Sequence, residues 1–180
     1  PRRVAVLGAG NTAMDAASSA LDAGASDVYL VYRRSFQEMP AWAEERDAFL
    51  AKGGHILILT QPLGYVTDDK GKLVGLKAAR TELGEPDASG RRSPQVVPRS
   101  EFVLPVELAV EAMGQKLGDQ LAGAFAGVTM TRNGRVAVDA TFATTLPGVF
   151  AAGDLVNGGT TAVQGIAEGM RAAAGIDAYL

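Results

Sequence analysis

The sequence predicts an α/β fold: a parallel sheet with helical crossovers, interrupted by an inserted antiparallel β arm. Three observations carry this. Over residues 3–61, short apolar runs alternate with segments of helical spacing, the pattern of a parallel sheet with right-handed crossovers. Residues 62–105 then concentrate the turn signals, with apolar runs between them, as antiparallel strands do. Residues 149–180 hold a last apolar run, a Gly-Asp pair and a helix of small residues.

The elements follow in order. RVAVL at residues 3–7 reads as a buried parallel strand. Residues 11–24 carry small and apolar side chains at helical spacing and end at Gly24, a helix terminator. SDVYLVYRR is a second strand, and a helix over Ala41–Lys52 follows, with Pro40 at its start and Gly53-Gly54 after it. HILILTQ is a third strand. In the arm, KLVGLKAART and QVVPRSEFVL lie between turns at Asp69-Lys70-Gly71, Gly84-Glu85-Pro86-Asp87 and Ser89-Gly90-Arg91-Arg92. VELAVEAMG returns to a buried strand ending at Gly114, VTMTRNGRVAV is a hairpin turning at Asn133-Gly134, and GVFAAGD is another short buried strand. Residues 160–178 form the closing helix.

The totals bound the function. The chain has 180 residues, 47% hydrophobic and 21% charged, with a net charge of −3. That suits one domain, or one domain and part of a second, with a sizeable core. The mild acidity gives no bulk attraction to nucleic acid or to an anionic membrane. There is no cysteine, which excludes disulfides, thiolate metal sites and iron–sulfur ligation within this chain. No apolar run approaches the ~20 residues of a membrane span. No cluster of metal-ligating type stands out, and the cytoplasm is the default location.

Gly8-Ala9-Gly10-Asn11-Thr12-Ala13 matches G-x-G-x-x-A between a strand and a helix. The first glycine permits the tight turn, the second lets backbone approach a pyrophosphate, and a small third residue lets helix and strand pack closely. The free N–H groups at the helix start bind the pyrophosphate. This context favours a dinucleotide-binding turn in a Rossmann-like sheet over a chance glycine turn. The second strand ends in Arg33-Arg34, where an NAD-selective site usually places an acid. Two arginines suit the 2′-phosphate of NADP instead, against the plainer reading of two solvated side chains. Ala112-Met113-Gly114-Gln115 ends a strand at the edge where such sheets bind ligands. Asp15 reads as a favourable charge near a helix N-terminus and His55 as structural; Phe36, Met39 and Trp42 read as a satellite hydrophobic cluster in preference to a cover over the cofactor's adenine edge.

Gly153-Asp154 after GVFAA, followed by a loop and the small-residue helix beginning near Thr161-Ala162-Val163, resembles the closing flavin segment of the two-dinucleotide-domain flavoprotein reductases. With YRRSFQEMPAWAEE, QPLGY, RTELGEPDASGRR, VEAMGQ and AAGDLVNGGTTAVQGIAEGMRAA, nearly the whole chain resembles the small (β) subunit of NADPH-dependent glutamate synthase and related FAD/NAD(P)-dependent pyridine nucleotide reductases. The resemblance implies that residues 1–148 form an NAD(P)H-binding domain with its antiparallel insertion around 62–105, and that residues 149–180 are the final strand and helix of an incomplete FAD-binding domain. It implies NADPH at Gly8, Gly10, Asn11, Thr12, Ala13, Arg33, Arg34, Ala112, Met113 and Gly114, and FAD of the complete enzyme at Gly153, Asp154, Thr161, Ala162 and Val163. Hydride would pass from NADPH to FAD and electrons onward to a larger iron–sulfur or substrate-converting partner. The motif that opens an FAD domain and the family's cysteine-rich region are absent from these 180 residues, so the chain reads as part of a larger reductase. An exposed apolar patch on the FAD segment would favour a homo-oligomer. Two alternatives stay open: a non-catalytic nucleotide-binding module or truncated remnant, and an NADH-using relative of the ferredoxin or dihydropyrimidine dehydrogenase type.

Overall fold

A computed structural model describes residues 2–86, 90, 92–114, 123 and 126–180. The chain forms two compact units, Pro1–Gly114 and Gln115–Leu180.

The first unit holds a four-stranded parallel sheet in the order β3-β2-β1-β8, built from β1 (Arg3–Leu7), β2 (Asp27–Val31), β3 (His55–Leu57) and β8 (Leu108–Glu111). Helices α1 (Asn11–Asp22) and α2 (Ala43–Ala51) make the crossovers. Both faces of β1 are buried, which explains its unbroken apolar sequence. Val4 and Val6 join Ala13, Met14, Ala17 and Phe49 in the core beneath the helices. Ala5 and Leu7 face the other way, onto Leu76 and Val106. The antiparallel arm therefore covers the face that the helices leave open.

The arm comprises β4 (Thr60–Thr67), β5 (Leu73–Pro86), β6 (Arg92–Val96) and β7 (Phe102–Leu104), with β5 pairing antiparallel to the other three. The fold expected from sequence is the fold observed, and the differences are local. HILILTQ is divided between β3 and β4 at Leu59, whose φ of +48° turns the chain from one sheet into the other. The Leu59 N–H donates to the Arg34 carbonyl at 2.9 Å, which holds that turn. Gly84 to Pro86 lie within β5, beside a register shift between Leu83 and Pro86, rather than in a turn. Asp87, Ser89, Arg91 and Gln115 lie outside the described residues. Strand β8 is half-exposed at the sheet edge rather than buried. Helix α2 starts two residues later than expected, after a 3₁₀ turn at Phe36–Glu38. That turn carries a capping box between Ser35 and Glu38, a Ser-x-x-Glu pattern legible in the sequence.

In the second unit, the hairpin at Asn133-Gly134 forms, with Gly134 at φ +71° and a bridge between Met130 and Val136. GVFAAGD is not a full strand: it contributes one antiparallel bridge, Ala143 to Phe150, and Val149 is exposed. Two helices close the chain, α3 (Asp154–Asn157) and α4 (Ala162–Tyr179). Helix α4 buries a stripe at Glu168, Ala172 and Gly175, spaced to lie on one face. Val163, Ile166 and Met170 stand exposed on it. None of the helices among the described residues is long and apolar enough to cross a membrane.

Two glycines of α4 should respond oppositely to the same substitution. A Cβ at Gly169 would meet nothing, so Gly169→Ala should raise stability by about 1 kcal/mol through helix propensity. A Cβ at Gly175 would fall on the Thr141 carbonyl oxygen, so Gly175→Ala should cost about 1–3 kcal/mol as overpacking does. Thermal unfolding of the two variants beside the parent chain checks both signs.

Candidate dinucleotide site

The site in the first unit is built where β1, β2 and β8 end. Gly8 leaves β1 with φ +139°, a conformation that L side chains rarely adopt. Its N–H donates to the Val31 carbonyl at the end of β2, at 3.1 Å. A Cβ on Gly8 would fall on the Ala112 carbonyl oxygen just past β8. Any other residue at position 8 would push apart two strand ends. Ala13 is fully buried beneath the turn, as the close approach of helix and strand requires.

Gly10 differs in kind. It is the N-cap of α1, with ordinary φ −86° and ψ 177°, and a Cβ there would meet no atom within 4 Å among the described residues beyond its chain neighbours. The fold itself places no steric demand for glycine here. The open space lies at the N-terminus of a twelve-residue helix without a side-chain cap. The first helical carbonyl, Gly10 O, accepts from Ala13 and Met14, and the earlier N–H groups of Asn11 and Thr12 have no partner within the helix. Asn11 and Thr12 are both exposed. The fit to a phosphate group is good: free N–H donors, the positive end of a helix dipole and a space that a side chain would fill.

Arg33 and Arg34 follow Val31 by two and three positions, which keeps them beside the turn. Arg33 is exposed and Arg34 half-buried. Their backbone is pinned, since the Thr81 hydroxyl donates to the Arg33 carbonyl at 2.8 Å. The Arg34 Nε is shut from water without an acceptor among the described residues. Ala112 is half-buried and its N–H donates to the Leu7 carbonyl at 2.9 Å, while Met113 and Gly114 are exposed beyond it. One residue upstream, Glu111 accepts from the Tyr65 hydroxyl at 2.5 Å. That hydrogen bond pushes the phenol up to about 12, so Tyr65 stays protonated throughout the physiological range.

The second group of expected residues lies in the second unit. Gly153 (φ +70°) caps α3 and leads into Asp154, whose side chain is exposed. Thr161 caps α4 by accepting from the Gln164 N–H, at 3.3 Å, and Ala162 and Val163 open that helix, exposed. The residue the sequence did not single out is Glu168. It is buried, and its carboxylate accepts from Gly153 N–H, Asn157 Nδ2 and Gln164 Nε2, each at 2.9 Å. It therefore ties α4 to the turn that carries Asp154. Arg135 donates to the Asn157 carbonyl from the preceding hairpin, and Asn157 Oδ1 accepts from Gly159 N–H at 2.8 Å. The Gln164–Glu168 spacing of one helical turn was a faint signal; the reach to Gly153 was not visible.

A glycine turn between a parallel strand and a helix, at the carboxyl ends of a β3-β2-β1-β8 sheet with an antiparallel arm, is the α/β architecture of the pyridine nucleotide reductases. The chain belongs to the pyridine nucleotide-disulphide oxidoreductase family, whose model matches residues 1–169. It is 48% identical to the NADP(+)-dependent formate dehydrogenase subunit beta of Moorella thermoacetica, over 98% of this chain and 25% of that protein. It is 38% identical to the glutamate synthase [NADPH] small chain of Escherichia coli (strain K12), over 99% of this chain and 39% of that protein. Both relatives are thus far longer than the chain that matches them. The fold is similar to part of T. acidophilum thioredoxin reductase, with a TM-score of 0.76 at 20% identity, over 98% of this chain and 52% of that one.

The hydrogen bonds from Gln164, Asn157 and Gly153 hold the Glu168 carboxyl below its ordinary value. A depressed carboxyl stabilises the fold above the ordinary glutamate range, and that contribution is lost as pH falls through the folded value. Glu168→Gln puts an amide where three donors converge. Denaturant unfolding should show the variant clearly less stable at pH 7, with the gap to the parent chain closing as the pH drops below that of a free glutamate.

Proposed function

We propose that this chain is the NADPH-binding portion of an FAD-dependent oxidoreductase, similar to the glutamate synthase small subunit, that passes hydride from NADPH to FAD and electrons onward to a partner. The observation that carries the reading is Gly10: a glycine the protein does not sterically need, at a free helix N-terminus, beside the strained turn at Gly8. In this reading the N–H groups of Asn11 and Thr12 bind the pyrophosphate, and Ala13 lets the helix start close to it. Arg33 and Arg34 hold the 2′-phosphate by charge-assisted hydrogen bonds, which NADH cannot receive. Ala112, Met113 and Gly114 flank the nucleotide at the end of β8.

Residues 1–148 then serve as the NAD(P)H-binding domain and 149–180 as the last part of an FAD-binding domain, a functional division rather than the compact units at 114. Asp154 accepts from flavin hydroxyls, and the open N-terminus of α4 at Thr161, Ala162 and Val163 favours negative charge. Bound FAD supplies the two-electron acceptor, and hydride transfer between positioned rings needs no acid, base or nucleophile from the protein. The NADPH assignment is supported by Arg33 and Arg34 and by the relatives' names. Those names are of subunits, which supports a larger iron–sulfur or substrate-converting partner. The exposed Val163, Ile166 and Met170 would suit such a partner, or a second copy, and the cytoplasm is the expected compartment.

Two measurements test the reading. After incubation with FAD and removal of free ligand, a retained visible flavin band that NADPH bleaches assigns the reaction to this chain. A colourless protein that still binds NADPH confines the chain to the nucleotide-binding role. Arg33→Ala combined with Arg34→Ala should weaken NADPH about 10- to 100-fold, the scale of lost charged hydrogen bonds, and leave NADH affinity nearly unchanged. Equal losses for both nucleotides would remove the 2′-phosphate assignment.

A further inference from the structure

We infer that Trp42 forms the adenine wall of the nucleotide site, its indole stacking on the purine of NADP; this rests on the dinucleotide reading of the glycine turn. The sequence favours a satellite hydrophobic cluster of Phe36, Met39 and Trp42 over a cover for the adenine edge. The structure separates them. Met39 and Ala41 belong to the main core with Ala9, Ala13 and Met14. Phe36 is 42% exposed and lies under the Arg46 guanidinium, 5.8 Å from it. Trp42 is 59% exposed, the most exposed aromatic side chain among the described residues.

Its place is set by the glycine turn itself. Ala41 N–H donates to the carbonyl of Ala9, the residue between Gly8 and Gly10, at 3.0 Å. The next residue along the chain, Trp42, therefore emerges beside that turn. The backbone is pinned on both sides. Upstream, the Tyr32 hydroxyl donates to the Glu38 carbonyl at 2.8 Å, and the Ser35–Glu38 capping box closes the 3₁₀ turn. Downstream, Trp42 is the N-cap of α2, and its carbonyl accepts from Arg46 N–H at 3.2 Å. A rigid backbone thus presents a large aromatic surface to solvent instead of packing it.

Two further observations favour an adenine. In such sheets the adenosine half of a dinucleotide lies over the end of the second strand, and β2 leads directly into Arg33, Arg34 and this segment. The buried Nε of Arg34 has no acceptor among the described residues, and a buried donor left unpaired is costly. An anionic group on the adenosine ribose would give that donor a charged acceptor. Indole and purine present complementary π-faces, and aromatic stacking on a base contributes strongly to affinity.

The chain has a single tryptophan, so its emission reports one residue. The probes are 2′,5′-ADP, which carries only the adenine half, and nicotinamide mononucleotide, which carries only the other. Calorimetry should give binding of 2′,5′-ADP, and tryptophan emission should change with the same midpoint. Trp42→Leu should weaken 2′,5′-ADP roughly tenfold or more, with unchanged circular dichroism, and Trp42→Phe should restore most of the affinity. Calorimetric binding with emission unmoved and Trp42→Leu within twofold of the parent would overturn this inference and leave the dinucleotide reading intact. An emission change with nicotinamide mononucleotide alone would overturn the adenine assignment. Binding of neither 2′,5′-ADP nor NADP to the folded parent chain would overturn the dinucleotide reading together with the inference.

Discussion

The approach of Gly8 to the Ala112 carbonyl is the constraint on which the first unit depends. It brings the ends of β1, β2 and β8 together at one edge of the parallel sheet. The Gly8 N–H reaches the end of β2, and the backbone at Ala112 lies where a side chain would be. Only glycine meets both conditions, because position 8 also needs a positive φ. Once that edge is closed, α1 starts directly above it and its unpaired N–H groups face open space. The open helix N-terminus is thus a consequence of how the strands terminate.

The same edge recruits neighbouring segments in different ways. The Ala9 carbonyl accepts from Ala41, which brings the start of α2 to the turn. The Arg34 carbonyl accepts from Leu59, which sends the chain out of the parallel sheet and into the arm. The arm then returns Leu76 onto the face of β1 that the helices do not cover. An antiparallel insertion is therefore part of the core of this unit. Without it, Ala5 and Leu7 would face water, and β1 would lose the two-sided burial that its sequence demands.

The second unit uses a buried charge where the first uses a glycine. Glu168 is the only buried acid among the described residues, and three neutral donors satisfy it. Such an arrangement is specific because each donor comes from a different place: the Gly153 backbone, the end of α3 and the preceding turn of α4. It fixes the turn before Asp154 while leaving Asp154 itself exposed. Arg135 adds a fourth tie, and its guanidinium occupies the space that a side chain at Gly158 would need.

The α/β class, the parallel order implied by alternating strands and helices, the glycine turn and the arginine pair were all legible in the sequence. Each is written in local pattern: apolar runs with a period, glycine at fixed offsets, a charge at a strand end. The break at Leu59, the edge exposure of β8, the incomplete strand at GVFAAGD, the roles of Glu168 and Arg135 and the separation of Trp42 from Met39 were not. These depend on which distant segment lies opposite. A buried carboxylate and an exposed indole look like their solvated or packed counterparts until the donor, the neighbouring backbone and the covering face are in place. Local pattern names the elements because it acts through neighbours in the chain. Register, edge and burial are decided by contacts between residues far apart in the sequence, and those exist only in the folded molecule.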